Sequence, residues 1–310
     1  MRLEGVHHIT AITGDAPRNV EFYTALLGLR MVKRTVNQDD PTVYHLFYGD
    51  EDGSPGMDLT FFEYPGAAPG RPGAGMIHRI LWRVGSPAAV DFWEERLAGS
   101  DVASRRSEGG LIFADPEGLE HELVVSDAPD QPLRGDSPEV PTEHALLGFE
   151  GARAYASDPG ASEGLLGQAL GFRATGEGSW EVRGQERGGT WVYDAPPPGG
   201  AAQGAGSVHH IAFASQMGDH DAWRRRAIEG GAHPTPEIDR FYFRSIYFRE
   251  PSGVLFEIAT IGPGFAVDED EAHLGERLSL PPRFEPLREQ LEARLTPLPY
   301  PPAWRLAART

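Results

Sequence analysis

The chain repeats itself, and no other feature limits so strongly what it can fold into. Asp115-Pro116-Glu117-Gly118-Leu119-Glu120-His121-Glu122-Leu123 and Glu250-Pro251-Ser252-Gly253-Val254-Leu255-Phe256-Glu257-Ile258 share the pattern acid-Pro-x-Gly-apolar-x-x-Glu-apolar, at an offset of 135. Acid-Pro-x-Gly is turn chemistry, and a strand follows it. Ile77-His78-Arg79-Ile80-Leu81-Trp82 matches Val208-His209-His210-Ile211-Ala212-Phe213 at an offset of 131. Each precedes a helical stretch, Ala88 to Ala98 and Asp219 to Glu229, that runs into Gly. Gly14-Asp15-Ala16-Pro17 and Ser157-Asp158-Pro159-Gly160 open a third matching pair. These end in Leu27-Gly28-Leu29-Arg30 and Leu170-Gly171-Phe172-Arg173, with Asp15 and Asp158 as expected N-caps.

Four similar units thus start near residues 5, 75, 148 and 207, each reading strand, helix, then about three strands. The expected fold class is α+β, with four βαβββ modules paired into two domains, residues 1–130 and 143–262. Ser126 to Thr142, rich in Asp and Pro, reads as a linker. The tail, residues 263–310, is expected to pack on the second domain through a short helix with Leu287, Leu291 and Leu295 on one face.

Composition removes several chemistries. The 310 residues include no Cys, so thiol nucleophiles, disulfides and zinc-thiolate sites are out. The single lysine, Lys33, follows no Gly-rich phosphate loop, and no G-x-S-x-G occurs. A net charge of −18 argues against nucleic acid and against anionic membranes. No signal peptide or membrane span is legible, which leads us to expect a soluble, cytoplasmic protein and allows a homo-oligomer.

The repeat also points to a centre. Val6-His7-His8-Ile9-Thr10 opens unit one, and Val208-His209-His210-Ile211-Ala212 opens unit four. Where unit four has His210, unit two has Arg79 and unit three Gly151; where it has Glu257, unit two has Glu122 and unit one Thr60. If units one and four pair, they assemble His8, His210 and Glu257, with Thr60 in the fourth place. If units two and three pair, Arg79 and Glu122 are left as an ion pair. Two imidazoles and one carboxylate with open positions suit non-haem Fe(II) chemistry, and a zinc hydrolase can use the same set.

These residues resemble the vicinal oxygen chelate (glyoxalase/bleomycin resistance/dioxygenase) superfamily, with its glyoxalase-like domains and cupped mixed sheets. More narrowly, the chain is similar to ring-cleaving dioxygenases that act on hydroquinones. The marks are His7-His8-Ile9-Thr10, Val32-Lys33-Arg34-Thr35, Tyr44-His45-Leu46, Arg240 with Tyr247 and Glu257, and Gly264-Phe265-Ala266-Val267-Asp268-Glu269-Asp270-Glu271. The resemblance implies Fe(II), or Mn(II) in its place, on His8, His210 and Glu257, with O2 as co-substrate and a small aromatic substrate. It also implies pocket roles for His7, His209, Thr10, Arg240 and Tyr247, and extradiol-type insertion of O2 into a hydroquinone- or catechol-like ring. The competing expectation is a glyoxalase-type lyase or isomerase. Such enzymes carry a second carboxylate, for which Thr60 stands here unless a shifted register brings in Glu63. A ligand-sequestering protein without a metal is the other competitor. His45 receives no role, and His121, His144, His220, His233 and His273 read as surface or structural residues.

Overall fold

Each of the four units folds as its pattern requires. The computed structural model describes residues 1–300. Unit one comprises β1 (Val6–Thr13), α1 (Ala16–Val20), β2 (Arg30–Val36), β3 (Tyr44–Gly49) and β4 (Asp58–Glu63). Unit two comprises β5 (Ile77–Val84), α2 (Pro87–Gly99), β6 (Ser104–Ser107), β7 (Gly110–Ala114) and β8 (Glu120–Val125). Unit three has β9 (Phe149–Tyr155), β10 (Arg173–Gly176), β11 (Ser179–Arg183) and β12 (Gly188–Asp194), with only short helical turns after β9. Unit four has β13 (Val208–Ser215), α3 (His220–Glu229), β14 (Ile238–Asp239), β15 (Arg244–Arg249) and β16 (Leu255–Thr260). A last helix, α4 (Arg288–Arg294), lies in the tail.

The helices of units one and three are not regular. Each passes into a π-helical turn, Glu21–Leu26 and Gly164–Ala169. Each then reaches a glycine in the left-handed region, Gly28 at φ 72 and Gly171 at φ 75. The Asp15 side chain caps α1 by accepting from Arg18 N at 3.1 Å. Asp158, expected to do the same, makes no capping bond, so that cap is corrected.

The acid-Pro-x-Gly motif has a clear physical basis. The Asp115 carboxylate accepts the backbone N–H groups of Glu117 and Leu119, both at 2.9 Å. Glu250 does the same for Ser252 and Val254, both at 3.0 Å. The acid closes its own turn and starts the next strand.

Two eight-stranded mixed sheets result. One has the order β14-β15-β16-β13-β1-β4-β3-β2, the other β10-β11-β12-β9-β5-β8-β7-β6. Units one and four therefore share a sheet, and so do units two and three. The sheets cross between the halves of the chain, and the buried turn acids cross between the sheets. Tyr23 of unit one donates to Asp115 of unit two at 3.0 Å, and Tyr193 of unit three donates to Glu250 of unit four at 2.9 Å.

The tail does not lie on the second half alone. It runs along β2, the edge strand of unit one, where Ser279 N donates to the Arg34 carbonyl at 2.8 Å and the Tyr300 hydroxyl to that of Met31 at 3.2 Å. Leu291 and Leu295 are buried, as their spacing predicts. Residues 301–310 of the expected tail lie outside the described residues. No helix among the described residues is long and apolar enough to cross a membrane.

Candidate metal centre and substrate pocket

The seam between β1 and β13 carries two β-bulges, and each falls on the first histidine of a His-His pair. Val6 pairs Phe213 but His8 pairs Ala212, which makes His7 the extra residue on β1. Thr10 pairs His210 but Ala11 pairs Val208, which makes His209 the extra residue on β13. A bulge breaks the strict alternation of a strand and re-aims a side chain. Here it lets neighbouring imidazoles touch: His7 Nδ1 lies 2.9 Å from His8 Nδ1, and His209 Nδ1 lies 2.8 Å from His210 Nδ1.

The first contact fixes which nitrogen of His8 is bare. The Thr260 carbonyl can only accept, so His7 Nε2, 3.1 Å away, carries the proton. Burial, then the neighbouring His8, pushes the His7 pKa down to about 3, so the ring is neutral. Its Nδ1 must accept from His8 Nδ1–H, which leaves the His8 Nε2 lone pair facing inward. His7 thus sits behind His8 and orients it, away from the cavity lining.

Three ligand atoms converge there. His8 Nε2 and His210 Nε2 stand 3.3 Å apart, and they lie 3.1 and 2.9 Å from Glu257 Oε2. All three residues are buried, Glu257 completely. They are also the one His/Cys/Asp/Glu group among the described residues with metal-ligand spacing. Burial alone would raise the Glu257 carboxyl, but the two imidazoles outweigh it and hold the group well below its ordinary value. Neither carboxylate oxygen receives a hydrogen bond of good geometry, although both are shut away from solvent. Electron-rich atoms this close need a shared positive charge between them, and a divalent cation on two imidazoles and a carboxylate fits that need.

The fourth place is filled as the repeat alignment predicted. Thr10 pairs Thr60 across β1 and β4. His45 Nε2–H donates to Thr60 Oγ1 at 2.9 Å and Thr60 to Thr10 Oγ1 at 2.8 Å, and Thr10 Oγ1 lies 3.0 Å from His210 Nε2. Burial, helped by His8 and His210, holds the His45 pKa well below its ordinary value. Glu63 takes no part. It lies on the opposite face of β4 and accepts from Ala16 N at 3.3 Å, at the start of α1.

A cavity of about 430 Å³ opens above this centre. Its walls include Phe47, Phe62, Phe243 and Leu255, and His209, His45, Arg240 and Tyr247 project into it. The His209 pKa is pushed down to about 4, mainly by burial and then by His210. Tyr247 is held protonated, chiefly by burial and next by Glu257. Its hydroxyl accepts from Arg240 Nε at 3.2 Å. A larger groove of about 690 Å³, lined by Arg18, Phe22, Arg96 and Glu139, lies away from these ligands and holds no such cluster.

The other sheet keeps the geometry and has lost the ligands. His78 is the bulge residue on β5, and Gly151 takes the place of His210. Arg79 donates to Glu122 at 3.0 Å, the expected ion pair, and to Glu120 at 2.8 Å. His121 is a core residue. Trp82 Nε1 donates to its Nδ1 at 3.0 Å, and its Nε2–H donates to the Tyr23 hydroxyl at 2.9 Å.

Two cupped mixed sheets and a His-His-Glu centre in one of them define a class, and the comparison with known families agrees. The chain belongs to the Glyoxalase/Bleomycin resistance protein/Dioxygenase superfamily, whose family model matches residues 5–123 and 145–258. Within it, the chain is 41% identical over 301 residues to "Putative ring-cleaving dioxygenase MhqO" of Bacillus subtilis, covering 94% of this chain and 96% of that one. It is 33% identical over 307 residues to a chlorohydroquinone/hydroquinone 1,2-dioxygenase of Sphingobium indicum, covering 94% and 95%. The crystal structure of a B. subtilis protein titled a "putative dioxygenase" superposes with a TM-score of 0.90 at 39% identity, covering 96% and 98%. Maize glyoxalase I shares the fold alone, with a TM-score of 0.58 at 13% identity over 83% of this chain and 92% of that one.

Proposed function

We propose that this chain is a metal-dependent ring-cleaving dioxygenase that inserts O2 into a hydroquinone- or catechol-like aromatic. The observation that carries the reading is a buried centre of two imidazoles and one carboxylate on the floor of an aromatic-walled cavity, with Thr60 where a second carboxylate would stand. The names of the two relatives support ring cleavage, and that of the S. indicum relative supports the hydroquinone substrate class. The absent carboxylate weighs against the glyoxalase-type lyase or isomerase.

His8, His210 and Glu257 would hold Fe(II), or Mn(II) in its place. When bound, that ion supplies the redox chemistry through which O2 reacts with an electron-rich ring. The chain's own residues do the rest. His7 positions His8 through the Nδ1 contact and does not meet the substrate. Thr10, buried behind the centre and outside the cavity lining, steadies His210 and does not meet the substrate. Tyr247 offers its hydroxyl to a ring oxygen, Arg240 polarises that hydroxyl, and neutral His209 moves a proton at the cavity wall. Phe47, Phe62 and Phe243 keep water from the ring. In a para-diol no bond joins two hydroxylated carbons. Cleavage at the 1,2 position therefore falls beside one hydroxyl carbon, which is extradiol-type in outcome.

The test is O2 uptake by anaerobically Fe(II)-loaded protein given methylhydroquinone, hydroquinone or catechol, beside Glu257→Ala. Uptake with loss of the aromatic absorbance is expected, together with about one iron per chain that the variant lacks. Full iron occupancy without uptake on any ring would overturn the dioxygenase reading and return the lyase.

A further inference from the structure

The cavity holds one fixed cation, and that cation is already occupied. Among the described lining residues Arg240 is the sole Lys or Arg. Its Nη1 and Nη2 donate to the two carboxylate oxygens of Asp39 at 2.9 and 3.0 Å, while Nε serves Tyr247. This is the planar two-point pairing by which a guanidinium recognises any carboxylate. Asp39 comes from the β2–β3 loop of unit one and Arg240 from unit four, so the pair spans the cavity mouth. The surroundings hold it in place. Gln38 Nε2 donates to the Arg240 carbonyl at 2.5 Å, and Arg283 of the tail donates to Gln38 Oε1 at 2.8 Å. Phe241, next to Arg240, sits in the left-handed region at φ 70, a conformation a bulky residue keeps only when its surroundings impose it. The Arg240 side chain is 15% exposed and that of Asp39 73%, so the carboxylate covers the guanidinium from the solvent side. Arg240 in turn holds the Asp39 carboxyl below its ordinary pKa.

We propose that Asp39 is a specificity-determining residue: by occupying Arg240 as an internal counterion, it selects aromatic diols without a ring carboxylate and rejects carboxylated ones. The inference rests on the ring-cleaving reading for its substrate class. A ring carboxylate at the cavity mouth meets the Asp39 charge and finds the one guanidinium of the lining already paired, and leaving it unpaired against the aromatic walls is costly. Ring hydroxyls do find partners, at His209 and Tyr247.

Binding measured without O2 tests this apart from turnover. Fe(II)-loaded wild type, Asp39→Ala and Asp39→Asn are titrated anaerobically with methylhydroquinone and with 2,5-dihydroxybenzoate, the hydroquinone that bears a carboxylate. Wild type is expected to prefer methylhydroquinone. Both variants are expected to gain roughly ten- to a hundred-fold in affinity for 2,5-dihydroxybenzoate, the worth of a freed two-point charged pair. The double variant Asp39→Ala/Arg240→Gln loses the gain. An unchanged ratio of affinities in both single variants, or a wild type that already prefers the carboxylated ring, overturns the proposal, as does binding of neither ring. If wild type binds methylhydroquinone but takes up no O2 with it, the ring-cleaving reading fails while the affinity ratio still decides this one.

Discussion

Which ring nitrogen of His8 points inward is decided one residue away, by a backbone carbonyl that His7 must serve. Such an arrangement costs little once a bulge has placed the two rings, and it presents the bare nitrogen before any ion arrives. The threonine pair works in the same way from the other side. Thr60→Val keeps the shape and breaks the chain from His45 to Thr10, so the Thr10 hydroxyl loses its fixed direction. The expected result is a fall in kcat on methylhydroquinone of roughly fivefold, the worth of one neutral hydrogen bond of about 1 kcal/mol, with iron content unchanged. Thr60→Ser should retain the rate. Equal rates for the Val and Ser variants would show the chain to be idle. His8, His210 and Glu257 were legible because a repeated unit shows which positions two modules share and which hold ligands in one sheet. His45 and Asp39 were not assigned a role. Neither has a counterpart in the other modules, and Asp39 lies on a loop whose path only the folded chain reveals.

At the scale of elements, the tail explains two sequence marks that looked unrelated. Lys33 on β2 is fully buried. Its ammonium donates to the Phe265 carbonyl at 3.0 Å, to Asp268 at 2.7 Å and to Glu269. The Tyr242 hydroxyl also donates to Asp268, at 3.1 Å. The single lysine and the acidic tail motif are therefore one device, and it pins Phe265 into the apolar cluster with Phe47, Tyr242 and Phe243 beside the centre. Lys33→Ala leaves Glu269 buried without its ammonium. Urea unfolding should show a loss of about 3–5 kcal/mol, the cost of breaking a buried charge pair from one side. Limited proteolysis should then cut first between residues 263 and 300. A loss under 1 kcal/mol would mean that the tail is held by apolar packing alone.

At the scale of the molecule, hydrogen bonding across the sheets is concentrated in buried polar chains. His121 stands in one that runs from Trp82 through His121 and Tyr23 to Asp115. Burial pushes the His121 pKa down to about 3 from 6.5. A group depressed in the folded state contributes stability that is complete above pH 6.5 and is lost as the pH falls toward 3, because only the unfolded chain takes up the proton. Asp115 runs the other way. Burial raises it to about 6, and its contribution grows as the pH falls from 6 toward 3.8. The two slopes offset each other in the wild type, so the difference between proteins is the quantity to measure. The destabilisation caused by His121→Gln should be largest at pH 7. It should shrink by on the order of 1 kcal/mol per pH unit below 6.5, read by urea titration at several pH values. A cost independent of pH would mean that His121 takes up a proton as readily in the folded protein as in the unfolded chain.

The sequence by itself determined the module, its fourfold repetition, the turn acids and the three candidate residues of the centre, because periodicity and turn chemistry are local properties of the chain. It left open which modules pair. Unit one can close a sheet with unit two or with unit four, and hydrophobic alternation is satisfied either way. The tertiary structure chose unit four, through the β1–β13 seam, and thereby brought His8 to His210 across some two hundred residues. It also decided the bulges, the path of the tail along unit one and the pairing of Asp39 with Arg240. Each of these depends on which surfaces meet when two distant segments bury their faces together, and no local pattern encodes that.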